Sequence, residues 1–320
     1  MTAPRALAGL VRHGTFPLLA FGPSALVLTL LGPSATAHER PSSTVLAASA
    51  AIIVSSYGLL AVLERLFPHR DDWNRPKDDL LADLAYFVAL APASALLGGT
   101  LASLLVDELH RVSLVTLRLE VWPGTWPPFL QVFLACWLAE FGHYWAHRLG
   151  HELPLLWRLH SIHHSARRLY WLNATRFHPL DLMLLGFLQA LPLEVLGIPP
   201  GIYLAYFVAS SCYGQLQHGN VDVDTRLFSH LFATPELHRW HHSRHPEEGN
   251  TNYGAILIFW DQLFRTRFWP GKPITEPVGI GDMPRFPDDL FAQLLAPFRW
   301  QRVVRAASSD GAASTESPLP

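Results

Sequence analysis

Residues 128–147 read PFLQVFLACWLAEFGHYWAH, residues 160–164 read HSIHH and residues 238–242 read HRWHH. The first stretch starts as an apolar run and ends in histidines. From Pro128 to Tyr144 it is close to one crossing of a ~30 Å hydrocarbon layer at about 1.5 Å per residue, and it follows a Trp- and Pro-rich turn, Trp122 to Pro127. His143 and His147 lie four apart, on one helix face with Cβ atoms about 5–6 Å from each other, near enough to share a metal. A single pair of this kind is more often a surface or capping feature of a helix than a metal site. The repeated H-x-x-H-H is different, because helix propensity and core packing give no reason to place three imidazoles, costly to desolvate, within five residues.

Eight of the 17 histidines fall in these three motifs. Imidazole is the commonest side-chain ligand of first-row metals. In His160-x-x-His163-His164 and His238-x-x-His241-His242 adjacent histidines differ by about 100° around a helix axis, so neighbours can serve different ions. Eight imidazoles overfill one site, and two ions sharing the set is the economical reading.

With these boxes the chain resembles the membrane fatty acid hydroxylase and sterol desaturase superfamily. The likeness runs from about Leu138 to Trp269 and extends beyond the boxes to Arg176-Phe177-His178-Pro179, His218-Gly219-Asn220, Asn252-Tyr253-Gly254 and Trp260-Asp261. Its look is nearest to bacterial sterol-desaturase-type proteins and alkylglycerol monooxygenases. The resemblance implies a non-haem di-iron enzyme with O2 as co-substrate that hydroxylates or desaturates a C–H bond of a fatty acyl, sterol-like or ether lipid. The metal ligands and catalytic residues it implies are His143, His147, His160, His163, His164, His238, His241 and His242, with His218 as a ninth; His178, Glu140 and Asn220 are possible additions. The chain carries neither a Gly-x-Gly-x-x-Gly fingerprint nor a cysteine cluster. Two electrons are therefore expected from a separate ferredoxin, b-type cytochrome or reductase.

Composition points to a membrane protein without the family. Half the residues are hydrophobic, 16% are charged, and there are 11 tryptophans, residues that favour the membrane interface. A net charge of −2 provides no broad basic surface for nucleic acid. Cys136 and Cys212 both sit in apolar runs and read as small core residues.

Thr44 to Val62 and Leu84 to Val106 are uncharged and span-length. Phe16 to Leu31 is shorter, interrupted by Gly22-Pro23, and reads as a first span, with a cleaved signal ending near Ala35-Thr36-Ala37 as the competing reading. Leu180 to Leu216 is broken at Gly197-Ile198-Pro199-Pro200-Gly201 and reads as a helical hairpin. Arginines and Lys77 follow the second span, and arginines follow the fourth, which places the amino terminus and all three boxes in the cytoplasm by the positive-inside rule. The fold expected is all-α: an integral membrane bundle of about four spans plus the hairpin, with a cytoplasmic histidine-rich cap, in a bacterial inner membrane. Residues 1–126 would form the N-terminal spans, 127–270 the di-metal domain, and 271–320 a cytoplasmic segment ending in a disordered Ser/Ala/Pro-rich tail from Ala306.

Glu140, an acid at membrane depth, reads either as a partner orienting a ligating imidazole or as a helix-packing hydrogen bond. His151 extends the His143–His147 stripe by one turn but is not required by the resemblance. His13, His38, His69, His110, His230 and His245 read as ordinary polar residues. Two rival functions remain: a di-zinc membrane hydrolase, which would activate water on the same imidazoles, and a metal transporter or sensor, which would carry its ligands near mid-membrane.

Overall fold

The computed structural model describes residues 5–111 and 121–307; the expected tail lies, beyond Ala307, outside them. The described residues form helices and no strand, with three isolated β-bridges only. In order the helices are α1 (Arg5–Leu31), α2 (Ser43–Leu66), α3 (Leu80–Ala85), α4 (Ala91–Arg111), α5 (Pro128–Glu152), α6 (Pro154–His164), α7 (Pro179–Val195), α8 (Pro200–His218), α9 (Pro235–His241), α10 (Pro246–Gly249), α11 (Phe259–Leu263), α12 (Leu290–Leu295) and α13 (Trp300–Ala307). A π-helical turn, Tyr86–Leu90, joins α3 to α4.

Among the described residues three segments are long and apolar enough to cross a membrane: Arg5–Thr36, Ser43–Leu66 and Leu80–Glu108. The first is not interrupted where its sequence predicts. α1 runs straight through Pro17 and Pro23, tolerable in a membrane helix whose neighbours and local adjustments take up the freed backbone groups. Nor is α1 peripheral: Phe16 is fully buried, its ring 5.8 Å from Tyr213 and 4.9 Å from Phe228. One apolar core joins α1 and α2 to α5 and α8, so the N-terminal helices and the histidine-bearing region share it.

Local chemistry sets the ends of α5. Gln131, in its first turn, accepts from the Trp122 indole at 2.8 Å and donates to the Trp126 carbonyl at 2.7 Å, holding the preceding turn against the helix. At the other end Leu153 adopts an extended conformation (φ −100°, ψ 120°), which the following Pro154 enforces by excluding the helical region. The chain turns there and folds α6 back beside the end of α5, bringing histidines of both helices together.

α7 and α8 form the expected hairpin, joined by residues 196–199. α7 wedges between α4 and α5 with its backbone nearly touching both. A Cβ on Gly98 of α4 would lie 2.3 Å from the Met183 carbonyl oxygen, and one on Gly142 of α5 would lie 2.0 Å from that of Leu188. Small residues that let backbones meet are the usual means of joining membrane helices, where lipid provides no hydrophobic drive for association.

Candidate metal centre

Nine imidazoles from four helices converge in two adjoining groups. His147, His151, His160, His164 and His241 make one; His163, His218, His238 and His242 make the other, the candidate ligand atoms of each lying within 4.8 Å of one another. The stacked rings of His164 and His242, 4.4 Å apart, join the two. Helix geometry does the sorting. His160 and His164 share a face of α6 and go to the first group, whereas His163, displaced around the axis, goes to the second. His241 and His242 separate in the same way.

The pair that α5 contributes is His147 with His151, one turn further along than the His143–His147 pair favoured by spacing. His143 lies outside both groups; its Nδ1 is 2.7 Å from Nε2 of Gln189. His178 is also elsewhere. It caps α7, its Nδ1 accepting from Leu180 N–H at 3.1 Å, with Nε2 3.3 Å from the Leu294 carbonyl. Asn220 ties the loop after α2, exchanging two 2.9 Å hydrogen bonds with the Arg70 backbone. The Glu140 carboxylate accepts from the backbone N–H groups of Ala255, Ile256 and Leu257 and touches no imidazole directly.

Glu140 acts through the 251–257 segment, and Asp261 holds the same segment from the other side, accepting from Tyr253 and Gly254 N–H at 2.8 Å each. Pinned between these carboxylates, the segment aims two carbonyls at the histidines. Tyr253 O lies 2.7 Å from His147 Nδ1, and Thr251 O lies 2.7 Å from His241 Nδ1. Asp181 meets His160 Nδ1 at 2.9 Å, the Asn173 amide oxygen meets His218 Nδ1 at 2.9 Å, and that of Asn250 meets His151 Nδ1 at 2.9 Å. Asn252-Tyr253-Gly254 and Trp260-Asp261 drew notice through the family likeness. Asp181, Asn173, Asn250 and Thr251 carry no motif by which sequence could single them out.

These acceptors fix the tautomers. An Nδ1 facing an oxygen acceptor carries the proton, so the Nε2 of that ring offers a lone pair. Nε2 of His147, His160, His218 and His241 is buried with no hydrogen-bond partner. Elsewhere the nitrogens crowd together: His151 and His164 Nε2 are 3.0 Å apart, and His242 Nε2 is 3.1 Å from that of His163 and 3.2 Å from that of His238. Two nitrogens at a metal–nitrogen distance of about 2.1 Å are roughly 3.0 Å apart at a right angle and roughly 3.4 Å apart in a tetrahedron. The spacings therefore suit ligands around shared cations, and the orphaned lone pairs require a Lewis acid or proton to satisfy them. Burial, helped by neighbouring imidazoles, holds His163, His164, His241 and His242 well below the ordinary imidazole pKa, and burial foremost pushes His238 down to about 3. The rings stay neutral, as metal ligation requires.

Next to the histidines lies a cavity of about 240 Å³ with His147, His163, His218 and His238 in its wall. α4, α7 and α8 supply much of the rest, largely apolar, through residues such as Ala95, Leu185 and Phe207, with Phe177 and Ile256 from the loops.

Residues 132–266 match the fatty acid hydroxylase family. The ornithine lipid hydroxylase OlsE of Rhizobium tropici is 37% identical over 251 residues, covering 77% of this chain and 74% of the relative. The alkylglycerol monooxygenase of Danio rerio is 31% identical over 186 residues, 57% of this chain and 39% of the relative. A Delta(7)-sterol 5(6)-desaturase, ERG3A of Gibberella zeae, is 29% identical over 163 residues, 48% of this chain and 42% of the relative. No solved structure matches the chain.

Proposed function

The chain belongs to the fatty acid hydroxylase family, and from that membership we propose that it is a membrane-bound di-iron oxygenase that hydroxylates or desaturates a lipid. The observation that carries this reading is the paired constellation of buried, converging imidazole nitrogens beside a largely apolar cavity. The ligands proposed are His147, His151, His160, His164 and His241 for one ion and His163, His218, His238 and His242 for the other. Bound iron would supply the oxygen activation that no side chain can perform.

The protein's own contribution is placement. Carbonyl and carboxylate acceptors lock the ring orientations, and the apolar cavity excludes water and aligns one carbon of the lipid with the site, where proximity sets which carbon reacts. In hydroxylation one atom of O2 enters the C–H bond and the other leaves as water, with two electrons and two protons taken up. Those electrons are proposed to come from a separate ferredoxin, b-type cytochrome or reductase. Names among the relatives, an ornithine lipid hydroxylase, alkylglycerol monooxygenases and sterol desaturases, support a lipid substrate. Arg65 in the last turn of α2, Arg70, Arg75 and Lys77 after it, and Arg158, Arg167 and Arg168 near the second box support a cytoplasmic position for the centre in a bacterial inner membrane.

The test is metal analysis of purified protein together with oxygen uptake on membrane lipids in the presence of an electron donor. Two iron ions per chain and lipid-dependent oxygen consumption are expected, both lost in His163→Ala and His241→Ala. Two zinc ions with oxygen-independent lipid hydrolysis would replace this reading with the hydrolase.

A further inference from the structure

His143 belongs to the first histidine motif, yet the fold assigns it a different neighbour. Gln189 of α7 meets it across the α5–α7 contact, Nε2 to Nδ1, at 2.7 Å. The two backbones come close enough for this because Gly142, the residue before His143, has no side chain to strike the Leu188 carbonyl. Both His143 and Gln189 line the cavity that His147, His163, His218 and His238 close.

The hydrogen bond determines what the pair offers. The Gln189 amide donates to Nδ1, so the His143 proton resides on Nε2, and that N–H is left for whatever occupies the cavity. The rings of His143 and His147 are 5.4 Å apart. A group held by His143 therefore sits about one helical turn from the first ligating imidazole, a distance of a few covalent bonds. The rest of the wall is not purely hydrocarbon either: Tyr203, Tyr206, Ser210 and Ser211 of α8 reach the same cavity. Polar groups are costly to bury where only an alkyl chain would meet them.

Resting on the lipid-oxygenase reading above, we propose that His143 and Gln189 form a substrate-binding pair whose Nε2–H receives an acceptor oxygen of the lipid, carbonyl, ether or hydroxyl, a few bonds from the carbon that is oxidised. The substrate class is thus an oxygenated lipid engaged near its polar end, in preference to an unfunctionalised chain. His143 is a positioning residue, distinct from the ligands.

The experiment uses the full-length metal-loaded protein in nanodiscs and measures binding of 1-O-hexadecylglycerol, methyl hexadecanoate and hexadecane by displacement of a fluorescent lipid, with metal content determined in parallel. The wild type should bind at least one oxygenated probe more tightly than hexadecane. His143→Phe and Gln189→Leu should each weaken that probe about 3–10-fold, the worth of one hydrogen bond, leaving hexadecane binding and two metals per chain unchanged. His143→Gln, which keeps a donor, should recover part of the loss. Absence of a preference in the wild type, equal weakening of all probes, or loss of metal from His143→Phe would each overturn the assignment. Failure of the oxygenase reading itself would register separately, as metal-loaded wild type that binds the probes with this preference but consumes no oxygen on any of them.

Discussion

An oxygen of Asp181, at the start of α7, lies 2.9 Å from Nδ1 of His160 in α6. This contact links α7 to the histidine groups and leaves His160 Nε2 buried with no hydrogen-bond partner. Outer partners of this kind set ring orientation and ligand basicity, and their loss typically lowers metal affinity about 10–100-fold. Asp181→Ala should therefore lose metal to a competing chelator about 10–100-fold more readily than wild type, read by metal retention after dialysis against graded chelator.

Glu140 satisfies three backbone N–H groups of residues 255–257. Removing the acceptor strands buried donors at about 1–3 kcal/mol each and frees the segment whose carbonyls orient His147 and His241. Glu140→Ala should lower the melting temperature and the metal content together, whereas Glu140→Gln, retaining one oxygen, should fall between. A Glu140→Ala protein with full metal content would separate that segment from the site.

Asp83 of α3 pairs with Arg176 at 2.5 Å, both fully enclosed, and Arg176 precedes Phe177, whose ring stacks on His163 at 4.0 Å. Breaking a buried pair by removing one partner costs about 3–5 kcal/mol because the other charge is left uncompensated. Asp83→Ala should cut the yield of folded protein sharply. Restoring neutrality with Asp83→Ala plus Arg176→Met should recover much of it, as size-exclusion profiles in detergent would show.

Gly142→Ala or Gly98→Ala would place a methyl group against a backbone carbonyl that cannot rotate away. Each should separate α7 from its neighbour and lower the unfolding temperature in detergent by an amount corresponding to about 1–3 kcal/mol or more. Gly58→Ala, with open space around its Cβ position, is the control expected to be silent.

His69 responds to pH. Arg239, first, and then burial and Arg70 lower its pKa to about 2 from the ordinary 6.5. A histidine held neutral in the folded state contributes its full stability above the unfolded pKa, near 6.5, and loses it as pH falls toward the folded value, with a slope of at most about 1.4 kcal/mol per pH unit. Melting temperature should fall between pH 6.5 and pH 4 in the wild type and fall less steeply in His69→Phe.

The repeated H-x-x-H-H was readable because three imidazoles in five residues have no other physical use, and the 100° step between neighbours already implied their division between two groups. The first motif was ambiguous for an equally physical reason. His143, His147 and His151 form a stripe at i, i+4 and i+8, within which either consecutive pair satisfies ligand spacing. What breaks the tie is tertiary: Asn250 and Tyr253, about 100 residues away in sequence, arrive beside the later two, while Gln189 takes the earliest. The hairpin and the long apolar helices followed from hydropathy and the Pro/Gly interruption. Pro23 misled for α1, because a helix break that water would favour is suppressed where the backbone has no solvent partner.

The last orienting carbonyl, that of Tyr253, is translated more than 100 residues after His147, the histidine it faces. A nascent chain halted before that point would hold His147 without the acceptor that steers it. Neither histidine group is complete until His241 and His242 have been made, so the constellation can assemble only after the chain through α8 has been synthesised.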